Sequence, residues 1–142
     1  MKNKKSLKKF AFIWAPSFFW ALVIFLFSAR PTNPVSEIHL MDFIVKKSAH
    51  VFEYAVLTIL LYRAFILSGF DKNKAKVYSV TLSIFYGITD EFHQLFVPGR
   101  TAKVRDVFID GIGAVLAIYL INSFFPKAPC LVKKIAGYLQ IL

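Results

Sequence analysis

The sequence predicts an all-α integral membrane protein: a four-helix bundle with both termini cytoplasmic and a short interfacial amphipathic helix at the C-terminus. Three observations lead there. Of 142 residues, 57% are hydrophobic and 17% aromatic, with a mean hydropathy of +0.57. An ordinary soluble domain is about 45–50% apolar, and a globule this small cannot hide the excess. The 18 Lys and Arg and 8 Asp and Glu, a formal net charge of +10, concentrate outside four long apolar runs. At ~20 residues per crossing plus short connections, four runs fill the chain. The apolar content excludes disorder, and the lone Cys130 excludes a disulfide scaffold. No nucleic-acid partner is expected despite a pI near 9.8, because long uncharged aromatic runs make a poor groove surface.

Residues 1–9 form a basic cytoplasmic N-terminus with Lys2, Lys4, Lys5, Lys8 and Lys9. The first span, residues 10–28, carries no charge and, at about 1.5 Å per residue, can cross a ~30 Å hydrocarbon core. It is too long for a signal peptide and lacks a small-x-small cleavage site at Phe27-Ser28-Ala29, so it is expected to be retained. Arg30-Pro31-Thr32-Asn33-Pro34 ends it, and Asn33 before Pro34 reads as the cap and first residue of a short segment leading to Phe43. The second span, residues 48–67, is interrupted by His50, Glu53, Tyr54 and Arg63; Arg63, near the cytoplasmic end, is expected to snorkel. The third, residues 77–97, is apolar until Asp90-Glu91. The fourth, residues 107–125, carries only Asp110. Residues 10–125 are thus one membrane domain, followed by a cytoplasmic tail, residues 126–142. There Leu131, Ile135, Leu139 and Leu142 share one face of an amphipathic helix.

Lys and Arg in short loops set the orientation. The N-terminus, the second connection and the tail hold eleven, while the first and third connections with their flanks hold Arg30, Lys46, Lys47, Arg100, Lys103 and Arg105. With both termini inside, the polar residues of three spans fall in one outer layer. The second span contributes His50, Glu53 and Tyr54; the third, Asp90, Glu91, His93 and Gln94; the fourth, Arg105, Asp106 and Asp110. Spacings of three and four put His50, Glu53 and Tyr54 on one helix face, and likewise Asp90 with His93 or Gln94, and Asp106 with Asp110. Intramembrane ionisable groups cost ~2.5–3.5 kcal/mol each, so these faces are expected to meet around an outward-facing polar pocket.

The candidate catalytic residues are His50, Glu53, Asp90, Glu91, His93 and Asp106, carboxylates serving as base and imidazoles as acid–base partners. The candidate substrate-binding residues are Tyr54, Gln94, Arg100, Arg105 and Asp110, the arginines suiting phosphate. A metal version would draw on His50, Glu53, His93 and Asp90 or Glu91, but the spacing is no recognised zinc signature, and no metal or cofactor is assigned. Taken singly, Glu53, Asp106 or Asp110 is equally a structural ion-pair member; the case rests on several polar faces at one depth. His39 reads as an ordinary interfacial residue, Gly111, Gly113 and Ala117 as packing positions, Trp14 and Trp20 as interfacial or lipid-facing, and Cys130 as inert.

Lys47-Ser48-Ala49-His50 with Tyr54, then Asp90-Glu91-Phe92-His93-Gln94, Pro98-Gly99-Arg100, and Arg105-Asp106-Val107 with Asp110 and Gly113 resemble, in order, the signature of the VanZ-like family of bacterial membrane proteins. The resemblance covers about residues 14 to 122. It implies a four-helix domain in the bacterial cytoplasmic membrane and an association with teicoplanin resistance. It also implies motif roles for His50, Tyr54, Asp90, Glu91, Gln94, Pro98, Gly99, Arg100, Asp106 and Gly113. The chain departs from the pattern at Ala29-Arg30, where a neutral polar pair is common, and at Ala117, where a second Gly is common.

Three functions fit this layer. The first is a membrane-embedded enzyme acting on a lipid or lipid-linked envelope substrate. The second is a non-enzymatic accessory protein that holds an envelope lipid or a glycopeptide. A small transporter is third, and four helices with no repeat or midplane charge path suit it least. Product formation separates the first from the second, and the bilayer is the one partner common to all three.

Overall fold

Five helices follow one another in the computed structural model, which describes residues 2–31, 39–100 and 102–138. They are α1 (Lys2–Ser28), α2 (His39–Leu67), α3 (Lys72–Gln94), α4 (Val104–Tyr119) and α5 (Cys130–Tyr138), with a π-helical turn at Leu120–Phe124 and a 3-10 turn at Phe125–Lys127 between the last two. The described residues contain no strand. Helix α2 is central, packing against α1, α3 and α4.

Ser6–Ser28, Ile44–Leu67 and Val104–Lys127 are each long and apolar enough to cross a membrane. Large apolar side chains such as Phe18, Phe19, Phe52, Phe85, Phe108 and Val115 point outward, as lipid-facing helices require. Helix α3 falls short by composition, and its buried face explains why. That face is Ala75, Ser79, Ser83, Gly87, Asp90, Glu91 and Gln94, while Val77, Leu82, Phe85, Ile88 and Phe92 are exposed. A helix that is small and polar inside and apolar outside reverses the soluble pattern and suits close packing in lipid. Thr58 Oγ1 of α2 shares a 2.7 Å hydrogen bond with Ser83 Oγ across this face.

The reversal between α2 and α3 takes four residues. Gly69, at φ 93, ends α2 with its N–H on the Ile66 carbonyl, and the Phe70 N–H reaches back to Phe65, the two bonds of a Schellman motif. Asp71 then caps α3, its side chain accepting from the Asn73 and Lys74 N–H groups. Such a short, hydrogen-bonded connection makes α2 and α3 antiparallel neighbours.

Several expectations change. Helix α2 is already continuous from His39, so no separate segment ends at Phe43; Asn33 and Pro34 lie outside the described residues, as does the His39 side chain. Helix α3 ends at Gln94, short of residue 97, because Pro98-Gly99 draws the chain into a turn. Arg63 does not snorkel: it is 8% exposed, donates to the Ile13 carbonyl at 3.3 Å, and lies over the Phe12 ring. Pro16, within α1, lacks the N–H that would bond the Phe12 carbonyl, so α1 is least self-satisfied where Arg63 meets it. Trp14 and Trp20 pack against the core of Ile24, Tyr54, Leu57 and Leu61, and Trp20 Nε1 donates to the Glu53 carbonyl at 2.9 Å. In α5 Ala136 is buried and Leu131 is exposed, while the Ile135 side chain, Leu139 and Leu142 lie outside the described residues.

Candidate functional site

The polar site grows from two close approaches and one turn. A Cβ at Gly113 would run into the Val51 backbone carbonyl, so glycine there lets α4 lie directly on α2. A Cβ at Gly87 would stand 3.0 Å from an Asp110 carboxyl oxygen and 3.4 Å from the Tyr54 ring; Asp110 therefore occupies the gap between α3 and α2. The turn is Val97 to Arg100, closed by a 3.1 Å bond from the Arg100 N–H to the Val97 carbonyl. Pro98 takes its second position and Gly99, at φ 77, its third, the requirement of a type II turn.

Asp110, 1% exposed, accepts from His50 Nδ1 at 3.0 Å. Asp106, one turn earlier in α4, pairs with Lys47, one turn earlier in α2. These parallel bonds fix the register of the two helices. His50 in turn faces a cavity of about 300 Å³ between α1, α2 and α3, whose lining includes Ser28, Arg30, Lys46, Glu53, Asp90 and Arg100. Gln94 Nε2 donates to Asp90 Oδ2 at 3.0 Å, while Asp90 Oδ1 and Ser28 Oγ are buried without partners. Arg100 fastens the end of α1: its Nη2 donates to the Phe27 carbonyl at 3.0 Å and its Nε to that of Arg30 at 3.3 Å. The Arg30 guanidinium lies 4.9 Å from the centre of the Phe27 ring.

Four of the sequence-derived candidates, His50, Glu53, Asp90 and Arg100, line the cavity. Asp110 and Gln94 stand behind them, bonded to His50 and Asp90. Tyr54 is fully buried, its hydroxyl unpartnered. Glu91 and Asp106 are engaged at the start of α4: Glu91 Oε2 accepts from the Lys103 N–H at 2.8 Å, and Asp106, in the first helical turn, also favours the helix dipole. His93 lies apart, its ring 4.5 Å from that of Phe25. Arg105 is exposed beside Asp106, at 3.7 Å. The four-donor metal set is therefore split, and among the described residues no three His, Cys, Asp or Glu side chains gather to hold a metal ion. Arg30, Lys46 and Ser28 were not singled out as site residues from sequence. The only signal for the first two was their charge, just past the end of α1 and one turn before His50 in α2.

Chemically, the cavity sets an imidazole with a carboxylate behind it, two more carboxylates and three cations at one end of a lipid-facing bundle. Together with the three apolar spans, this defines a multi-pass integral membrane protein with a polar cavity at one end. The VanZ/LLP1 family profile matches residues 3–125, and the chain belongs to the VanZ/LLP1 family. No curated protein and no solved structure matches it.

Proposed function

We propose that this protein acts at the outer face of the bacterial cytoplasmic membrane on a lipid or lipid-linked cell-envelope substrate, whose phosphate-bearing head group enters the cavity. The observation that carries the reading is the His50–Asp110 pair opening onto the same cavity as Glu53, Asp90, Arg30, Lys46 and Arg100. With Nδ1 held by a carboxylate, His50 has Nε2 for proton transfer. Glu53 and Asp90 are the bases within the cavity, and the cations suit a phosphate. A volume of about 300 Å³ is at the lower end for small-molecule sites, so a head group fits and a whole glycopeptide does not. The association of VanZ-like proteins with teicoplanin resistance is then indirect: the protein alters or shields an envelope lipid rather than engulfing the antibiotic.

The second reading is binding without turnover. Its support is that Arg100 commits two nitrogens to α1 carbonyls and so acts in part as a structural clip. The test is incubation of the purified protein with extracted envelope lipids, with products followed by mass spectrometry. Product that disappears in His50→Ala at equal membrane abundance supports the enzyme. Saturable lipid binding with no product selects the accessory role, and absence of both overturns the proposal.

A further inference from the structure

A second cavity lies at the other end of the bundle. Tyr62 follows His50 by three turns of α2, about 18 Å along the axis. The cavity measures about 480 Å³, and its lining includes Tyr62, Lys72 and Lys76 of α3, Ile121 and Asn122 of the π-helical turn, and Lys133 of α5. Three separate local features build the cavity wall. Asp71 caps α3, so Lys72 and Lys76 fall at i and i+4 on one face. The π-helical turn adds Asn122 to the wall. Pro126 and Pro129 break the chain on either side of the buried Ala128, and α5 returns with Ala136 buried and Lys133 at the cavity.

Like charges at i and i+4 repel, and a third cation at the same concavity adds to the cost. Among the described residues no acid pairs with Lys72, Lys76 or Lys133; the nearby Asp71 pairs with Lys74 at 3.6 Å. Tyr62, 3% exposed, and Asn122 add neutral hydrogen-bonding groups, and Ile121 an apolar wall. Ammonium groups suit phosphate as point charges, and basic pockets between membrane helices take phospholipid head groups. We propose that this cavity binds an anionic phosphate group, carried by a phospholipid head group at the membrane surface or by a soluble phosphate ester. The site is independent of the polar cavity at the opposite end. A general excess of Lys attracts anionic membrane anywhere on that face, whereas this cavity requires three particular lysines.

The test measures retention of phosphatidylglycerol against phosphatidylcholine by the purified full chain in detergent. Phosphatidylglycerol is expected to be preferred. The triple variant Lys72→Gln, Lys76→Gln, Lys133→Gln should bind it at least roughly tenfold more weakly. A matched triple, Lys8→Gln, Lys127→Gln, Lys134→Gln, removes the same charge from exposed positions and should stay within about twofold of the parent. Displacement of bound lipid by inorganic phosphate supports the site with a soluble ester as its ligand; retention in its presence supports it with the lipid as its ligand. Equal loss in both triple variants, or no preference between the lipids, overturns the proposal. If the first triple fails to fold, Lys76→Gln and Lys76→Arg decide: weaker binding in the first and retained binding in the second support it, and equal behaviour overturns it.

Discussion

Tyr54 is the largest fully buried side chain of the described residues, yet its hydroxyl has no hydrogen-bond partner. An unmade buried hydrogen bond is a cost that Phe does not carry. Tyr54→Phe should therefore leave stability unchanged or raise it by up to ~1 kcal/mol, read from thermal unfolding in detergent; a clear loss would mean that the hydroxyl bonds in the folded protein. Asp110 gives the opposite expectation. Removing it strands His50 Nδ1 in a part-buried site, and Asp110→Ala should cost about 1–3 kcal/mol, with Asp110→Asn costing less because an acceptor remains. The sequence placed His50, Asp110 and their neighbours at one depth, since depth follows from counting residues along spans. It did not reveal partners, which depend on helix rotation. His50 shares a helix face with Glu53 but bonds across to α4. Glu91 takes a backbone N–H, a donor every residue but proline offers and no motif marks.

Among the helices, α3 reads as a span from its apolar run yet falls short by composition, for a physical reason. Hydropathy counts apolar residues, whereas the inner face of α3 is Ala75, Ser79, Ser83 and Gly87, chosen for size. The close α2–α4 approach also rests on one small residue. Gly113→Ala should abolish the folded bundle or lower its melting temperature severely, because the added methyl meets the Val51 backbone, which cannot move aside alone. Gly87→Ala meets the Asp110 side chain at 3.0 Å and should cost about 1–3 kcal/mol. Membrane abundance and melting of the two variants, side by side, test this order. At the start of α3 the expectation depends on pH. The Asp71 carboxyl accepts from the Lys74 and Asn73 N–H groups and lies beside the Lys74 ammonium, which together hold its pKa below the usual carboxylate value. A depressed folded pKa contributes stability above the unfolded value, about 3.9, and that contribution disappears as pH falls through the folded one. Asp71→Ala should therefore melt below the parent at neutral pH, and the gap should narrow in acid; a gap independent of pH would remove the charge from this account.

For the whole molecule, the decisive quantity is the parity of crossings. Among the described residues three helices are long and apolar enough to cross a membrane; three crossings would put the ends of the chain on opposite sides, and four put them on the same side. Three features favour four. Helix α3 has 23 residues, about 35 Å at 1.5 Å each, longer than a ~30 Å hydrocarbon core. It joins α2 through only four residues and packs against both α2 and α4, so it accompanies them across the bilayer. The charges along the sequence agree: the segments read as lying on the side of the termini hold twelve Lys and Arg with Asp71 the sole acid, whereas those read as lying on the other side hold six with seven acids. Thus the net +10 separates into a basic face and a nearly balanced site. Cys130, exposed and the only cysteine, makes the prediction measurable. In intact cells a membrane-impermeant maleimide should label it only after permeabilisation. In a Cys130→Ser background, Lys8→Cys, exposed near the start of α1, should also label only after permeabilisation, whereas Lys103→Cys, at the exposed start of α4, should label without it. Labelling of Lys8→Cys and Cys130 from opposite sides would mean an odd number of crossings and would overturn the four-span bundle. Labelling of all three positions from the side opposite to that expected would keep the bundle and place the polar cavity inside the cell.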